Sequence, residues 1–174
     1  MADWFVVNVR DAHWRRHETF GASCRFETPD APFEQFGLNI RVLQPGQPNC
    51  LYHSESLQED FLVLAGECLL LVDGQERRLR AWDFVHSPPG TEHVFVGAGE
   101  RPCAILMMGA RSEDERLRYP VSELARRHGA SAERETTSPE EAYAAFERSA
   151  DGRPEGWDEL PWAKRDIDFS LKSR

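Results

Sequence analysis

The sequence predicts a mainly β protein whose antiparallel sheet is closed or nearly closed, followed by a C-terminal helical and irregular extension. Between residues 38 and 111, short β-prone runs alternate with turn signals roughly every ten residues, which is typical of a sandwich or barrel. No long helical period interrupts this region, so its strands are expected to pair antiparallel rather than through crossover helices.

Each run of this region ends at a recognisable turn. Residues 38–43 alternate with a period of two and end at a Gln-Pro-Gly turn. An Asp-Gly pair at positions 73 and 74 predicts a tight hairpin between apolar flanks. The Pro-Pro-Gly turn at 88–90 follows the fourth run. The other predicted strands are 61–64, 69–72, 82–85, 94–96 and 103–108.

The flanks differ in texture, and we expect a division into an N-terminal strand and loop extension (1–37), a barrel (38–111) and a C-terminal extension (112–174). The apolar run 4–7 is a candidate strand for a sheet edge or for exchange with a partner subunit. Residues 121–128 predict a short helix ended by Gly129. Ser138, Pro139 and Glu141 form a helix start with a capping box, which predicts a helix over 142–148. Trp157 and Trp162 are expected to pack on the barrel or on a partner subunit.

Composition limits the classes of partner. The 174 residues carry a formal net charge of −9, which disfavours nucleic acid, because phosphate binding needs clustered cations. No apolar stretch reaches the roughly 18–20 residues of a membrane span, and no secretory signal is visible, so a cytoplasmic protein is expected. The four cysteines lack CxxC spacing and are expected to be reduced, with Cys68 in the core. Strand alternation predicts Cys50 and His53 on opposite faces, which argues against Cys50 as a ligand.

Four residues are expected to converge inside the barrel. His53 and Glu55 are two apart and share a face of a strand. Glu59 begins the next strand, with Phe61 and Val63 on its interior face. The turn at Pro88 and Gly90 then delivers His93 from another strand. Two imidazoles with one or two carboxylates suit Zn(II), Mn(II), Fe(II) or Ni(II).

These motifs resemble those of the cupin superfamily, small double-stranded β-helix barrels, over about residues 38–110. By position, His53, Glu59 and His93 match three of the metal ligands of the family. The second histidine of the family is Glu55 here, and the first glycine of its second motif is Trp82. The resemblance therefore implies one divalent metal ion per chain held by His53, Glu55, Glu59 and His93. Glu55 is a direct ligand, a hydrogen-bond acceptor that orients a ligand, or a catalytic general base.

The residues that flank the motifs are given ordinary structural roles. Tyr52, Gln58 and Glu92 are expected on the outer surface, although Gln58 could turn inward. The remaining histidines are expected outside the pocket: His13, His17, His86 and His128. Four apolar side chains are expected to line the barrel: Phe61, Phe84, Phe95 and Met107.

Three functions remain open at this point, because a fold hosts many chemistries. The first is a metal-dependent enzyme, dioxygenase-like or isomerase-like, that acts on a small organic molecule. The second is a non-catalytic ligand-binding or sensor module with a structural metal. The third is a metal-free interaction protein. Unpaired sheet edges and exposed apolar residues also predict a homodimer.

Overall fold

The computed structural model describes residues 4–28 and 30–163, and within these ranges the chain is mainly β with antiparallel pairing. The sequence prediction of fold class is therefore confirmed. Residues 164–174, the end of the predicted C-terminal extension, lie outside the described residues. The strands are β1 (His13–His17), β2 (Gly21–Arg25), β3 (Phe36–Leu43), β4 (Ser54–Glu55), β5 (Glu59–Ala65), β6 (Glu67–Val72), β7 (Gln75–Arg80), β8 (Phe84–Ser87), β9 (His93–Ala98), β10 (Cys103–Ala110), β11 (Leu117–Arg118) and β12 (Ala150–Asp151).

The strands form three separate sheets rather than one continuously hydrogen-bonded closed sheet. The largest has the order β12-β1-β2-β3-β10-β5-β8, the second has β7-β6-β9, and the third pairs β11 with β4. Side chains of β3, β5 and β10 meet side chains of β6 and β9 in one core cluster, so the two larger sheets face each other. No helix among the described residues is long and apolar enough to cross a membrane.

Alternation along the strands determines what fills the space between the sheets. Met107 lies opposite Phe61 on β5, and Ile105 lies opposite Val63. All four are buried and belong to the same core cluster as Phe95 of β9. Burying each such side chain stabilises the fold by about 1.5–3 kcal/mol. The predicted interior positions of Phe61, Phe95 and Met107 are confirmed.

Two aromatic residues lie where the sequence did not predict them. Phe84 is 60% exposed, because it lies on the edge strand β8 and alternates outward while Val85 packs against the core. Tyr52, expected on the surface, is 2% exposed and packs with Val94 and Ala125. The chain before β4 is irregular, so strand alternation does not apply to Tyr52.

The outer face of the large sheet is covered by the C-terminal segment. Trp157 and Trp162 stack around Trp14 of β1, with ring centroids 5.6 and 5.8 Å from its own. Leu160 is buried in the same cluster. The outer face of the central strands is therefore covered, while inner-face side chains of β3, β5 and β10 line the cavity.

The flanking elements are shorter than predicted. The apolar run 4–7 forms no strand in the chain, and Trp4 is 88% exposed. The helix α1 (Glu123–Arg126) is a single turn within the predicted helix 121–128. The helix α2 (Pro139–Ala142) ends at the residue where the predicted helix 142–148 begins. Ser138 does cap α2, since its side chain accepts from the Glu141 N–H. The chain then bends, because Tyr143 and Phe146 pack on Phe20.

Trp82 adopts a backbone conformation that suits glycine. Its φ is 76°, in the left-handed region where a β-carbon is unfavourable. Its side chain is 74% exposed, and its N–H donates to the Val63 carbonyl. The turn geometry therefore explains why a glycine is usual at this position of the second cupin motif.

Candidate metal centre

The two motif histidines face each other across neighbouring backbone segments. The His53 N–H donates to the His93 carbonyl (3.2 Å) and the His93 N–H donates to the His53 carbonyl (2.8 Å). The pairing holds the two imidazole rings 5.1 Å apart, centroid to centroid. Both residues are buried, at 8% and 2% exposure. The backbone thus fixes the spacing of the two rings before any ligand is considered.

Each imidazole ring is oriented by a hydrogen bond to a backbone carbonyl two residues earlier in the chain. The Nδ1 atom of His53 lies 2.9 Å from the Leu51 carbonyl, and that of His93 lies 3.1 Å from the Thr91 carbonyl. A carbonyl can only accept, so each Nδ1 carries the proton and each Nε2 keeps a free lone pair when the ring is neutral. Metal-binding histidines are commonly held in this way.

Two carboxylates complete the cluster. Glu59 Oε2 lies 3.4 Å from His93 Nε2, and Glu55 Oε1 lies 3.5 Å from His53 Nε2. One ligand atom from each of His53, Glu59 and His93 falls within a group whose members are all within 4.8 Å of one another. Ligand atoms at about 2.1 Å from a tetrahedral metal are roughly 3.4 Å apart. The donor set and its spacing therefore fit a divalent metal ion with little movement.

The cluster is electrostatically frustrated without a cation. Burial, together with the charges of Glu55 and Glu115, raises the pKa of Glu59 to about 8. Burial and the charge of His53 lower the pKa of His93 to about 4. Burial opposes charge on His53 as well, but Cys50, Glu55 and Glu59 outweigh it and raise the pKa of His53 well above its ordinary value. Burial also opposes ionisation of Glu55, yet the hydrogen bond and charge of His53 lower its pKa.

Two residues at the site come from beyond the predicted barrel and were missed by sequence reasoning. Glu115 lines the cavity, and burial and a hydrogen bond with Glu55 raise its pKa to about 7. Tyr119 stacks on the His53 ring at 5.8 Å between centroids. Pairing of β11 with β4 brings them there, and nothing in the charged stretch around Glu115 signals this pairing.

The cluster lies in a cavity of about 260 Å³ between the sheets. Cys50 lines this cavity, and its Sγ lies 3.6 Å from His53 Nδ1. The prediction that Cys50 and His53 face apart is wrong, because residues 49–52 are not in a strand. Cys50 contacts the side of the ring away from Nε2, so it supports His53 and does not join the carboxylates. Arg41 and Asn39, inward residues of β3, also line the cavity and were missed.

The other candidate side chains lie elsewhere. His86 is exposed and its Nδ1 lies 2.7 Å from Asp60 on the outward side of β5. Gln58 is exposed and also contacts Asp60. Glu92 pairs with Arg118. The remaining histidines contact other groups: His13 pairs with Asp151, His128 pairs with Glu76, and His17 packs on Phe20.

Residues 39–109 match the family model of the cupin domain, and the fold agrees with that match. These residues therefore form a cupin domain. A comparison with the curated proteins found no match.

Solved structures share this fold at low sequence identity. One is a sugar phosphate isomerase of the cupin superfamily from Silicibacter pomeroyi, with 23% identity, a TM-score of 0.58, and coverage of 64% of this chain and 79% of the other. A polyketide cyclase from Streptomyces resistomycificus is 19% identical with a TM-score of 0.54, and the match covers 64% of this chain and 89% of the cyclase. A predicted oxalate decarboxylase from Thermotoga maritima is 18% identical with a TM-score of 0.55, and the match covers 62% of this chain and 100% of the other. At these identities the likeness shows the fold alone.

Proposed function

We propose that this protein is a metal-dependent enzyme that acts on a small organic molecule, with one divalent ion per chain held by His53, Glu59 and His93. The observation that carries this proposal is the convergence of two oriented Nε2 atoms and a buried carboxylate in an open cavity. Structural metal sites are usually closed, whereas catalytic sites keep a position for substrate.

Glu55 has two roles consistent with its position. Its Oε1 is 3.5 Å from His53 Nε2, close enough to become a fourth ligand after a small rotation. Alternatively, its carboxylate faces the cavity as a general base, with Glu115 as hydrogen-bond partner. In either role the Glu55–Glu115 pair can hold or pass a proton beside the substrate.

The residues around the cluster bind and orient the substrate in this proposal. A divalent ion would polarise an oxygen of the substrate and stabilise negative charge that develops on it. Phe61 and Met107 form the apolar floor of the cavity, and Tyr119 covers the outer side of His53. The volume of about 260 Å³ suits a small molecule. The isomerase, cyclase and decarboxylase among the structural neighbours are compatible with this class of chemistry.

The proposal extends to the setting of the protein. The four cysteines are free, which supports a reducing compartment and hence the cytoplasm. The exposed aromatic side chains Trp82 and Phe84 lie on or beside the edge strand β8, which supports a homodimer.

Metal titration of matched variants tests the proposed function. Wild-type protein freed of metal is titrated with Mn²⁺, Fe²⁺, Ni²⁺ and Zn²⁺ in a calorimeter, beside Glu59→Gln and Asp60→Asn. Asp60 is the matched control, because it neighbours Glu59 in sequence but pairs with His86 outside the cavity. We expect one ion per chain for wild type and Asp60→Asn, and at least tenfold weaker binding by Glu59→Gln. Equal affinity in all three proteins would contradict the proposed ligand set.

Turnover separates the enzyme from a binding module with a structural metal. Metal-loaded protein is tested for oxygen consumption and for isomerisation against small enols, thiols and sugars. We expect turnover with at least one class, lost in Glu59→Gln and kept in Asp60→Asn. Metal binding without turnover, together with a melting temperature that falls sharply on metal removal, would favour the structural-metal alternative.

A further inference from the structure

Arg41 is a half-buried cation that forms no ion pair with a carboxylate of residues 4–28 and 30–163. It lies on the inward face of β3, opposite Ile105 of β10, and lines the cavity that holds the metal cluster. Its Nη1 donates to the Phe20 carbonyl at 3.2 Å. Within residues 4–28 and 30–163, that is the only hydrogen bond of the guanidinium, and its buried Nε has no partner.

The contrast with the other arginine of the cavity shows what Arg41 lacks. Arg111 binds Glu27 with two hydrogen bonds of 2.8 and 2.7 Å and donates a third to the Phe33 carbonyl. Its charge is therefore compensated within the protein. Arg41 makes no such ion pair with a described carboxylate, and burial lowers the pKa of its guanidinium. Since arginine stays protonated in proteins, the charge of this half-buried side chain remains, and no ion pair with a described carboxylate offsets its partial desolvation.

The surroundings of Arg41 leave room for a ligand. Arg41, Asn49 and Cys50 line both the metal cavity and a neighbouring cavity of about 690 Å³. The second cavity also has aromatic walls from Phe20 and Tyr143. Two residues earlier on the same face of β3, the buried Asn39 Oδ1 likewise has no hydrogen-bond partner in the part of the chain that the structure describes. Unpaired polar atoms inside a protein are rare and call for an explanation, and a group that binds beside them is one.

We propose that Arg41 is the anion-recognition residue of the metal cavity, and that the substrate is a small molecule carrying a carboxylate or phosphate group. That the bound anion is a substrate rests on the proposed function, but the anion site itself does not need the metal. A guanidinium binds such oxyanions through paired, charge-assisted hydrogen bonds, which a neutral molecule cannot replace. The oxyanion would supply the missing counter-charge while another end of the molecule meets the imidazole–carboxylate cluster.

Titration with minimal probes tests the site. Glycolate, methyl phosphate and the uncharged ethylene glycol are titrated into Mn²⁺-loaded protein and into metal-free protein. The variants are Arg41→Gln, Arg41→Lys and the control Arg78→Gln. The control removes the same charge from an exposed residue of β7 that pairs with Glu67. The melting temperature and the Mn²⁺ affinity of each protein are measured alongside.

We expect wild type and Arg78→Gln to bind glycolate or methyl phosphate but not ethylene glycol. Arg41→Gln should weaken anion binding roughly 10- to 100-fold, and Arg41→Lys should restore part of it. The stronger of the two anions then identifies the source of the oxyanion. Mn²⁺ affinity should stay the same or increase in Arg41→Gln, because a like charge near the metal is removed. Its melting temperature should stay the same or rise, since a half-buried charge without an ion pair is lost.

Several outcomes would overturn the inference. These are failure of both anions to bind wild type, equal anion affinity in Arg41→Gln, and a large fall in the melting temperature of that variant. The last result would assign Arg41 a structural role. If wild type binds no metal yet binds anions through Arg41, the proposed function fails and the anion site stands. If metal binds but Arg41→Gln binds anions as wild type does, the reverse holds.

Discussion

Raising the pH from 6 to 7 is expected to increase the affinity of the site for a divalent ion at least about tenfold. Metal ions bind deprotonated ligands, so each proton that must leave contributes about a factor of ten per pH unit. Glu59, with a pKa of about 8, holds a proton at these pH values. The charges of Cys50, Glu55 and Glu59 raise the pKa of His53 well above its ordinary value, so His53 adds to this effect in the same direction. His93, with a pKa of about 4, and Glu55, with a lowered pKa, hold none.

The affinity rises with pH because the metal binds only the deprotonated ligands. Protonated Glu59 and His53 compete with the metal, so affinity falls as the pH falls. The contribution of Glu59 ends as the pH passes about 8, where its carboxylate is already free. The assay is calorimetric titration with Mn²⁺ at both pH values in buffers of different ionisation enthalpy, which counts the released protons directly.

Variants sharpen this prediction. Glu55→Gln removes the single carboxylate charge that raises the pKa of both Glu59 and His53, so metal binding should release fewer protons than in wild type. Asp60→Asn should leave the number of protons unchanged, since Asp60 pairs with His86 outside the cavity. A change in wild-type affinity below about threefold between pH 6 and 7 would refute the assigned protonation states.

Three further predictions concern the fold and its assembly. Trp82→Gly should raise the free energy of unfolding by roughly 1 kcal/mol in urea denaturation, because it relieves a φ of 76°; unchanged or lower stability would contradict this. Gly97→Ala should lower the free energy of unfolding by roughly 3 kcal/mol or more, because the new β-carbon would clash with the Gln44 carbonyl oxygen. The control Gly152→Ala should change it little, because the nearest atom to its new β-carbon lies 3.9 Å away. Sedimentation should show a dimer that Phe84→Ser weakens; a monomeric wild type would refute the dimer.

The cupin domain and the cluster of four residues could be predicted because their signals are local. Strand alternation, the Asp-Gly hairpin and the glycine and proline turns each occupy a few consecutive residues. The spacing of His53, Glu55 and Glu59 similarly depends only on strand geometry and one short turn. The structure brings these residues to His93 as expected, and the assignment of each as a ligand remains a proposal that the metal titration tests.

Residues whose position depends on long-range packing could not be predicted. Alternation on β3 would place Asn39 and Arg41 toward solvent in a sheet with one buried face. Here the C-terminal segment covers that sheet's outer face with Trp157 and Leu160, so the polar positions face the cavity instead. Glu115 reaches the site only because β11 pairs with β4. Local sequence carries no information about either contact.

Short flanking segments were mispredicted for a related reason. The capping residues of α2 signal where a helix begins, and they do begin it at Pro139. Helix length depends on what the following side chains contact, and packing of Tyr143 and Phe146 on Phe20 ends the helix early. Cys50 was assigned to the wrong face because a strand was assumed where the chain is irregular.

Anomalous diffraction from crystals of Mn²⁺-loaded protein would locate the metal ion and its ligands. We expect one anomalous peak per chain between the sheets, about 2.0–2.3 Å from His53 Nε2, His93 Nε2 and a Glu59 carboxylate oxygen. The same map decides whether Glu55 ligates the ion or stands off as a base. The absence of a peak in this cavity, or a peak bound by other residues, would contradict the account.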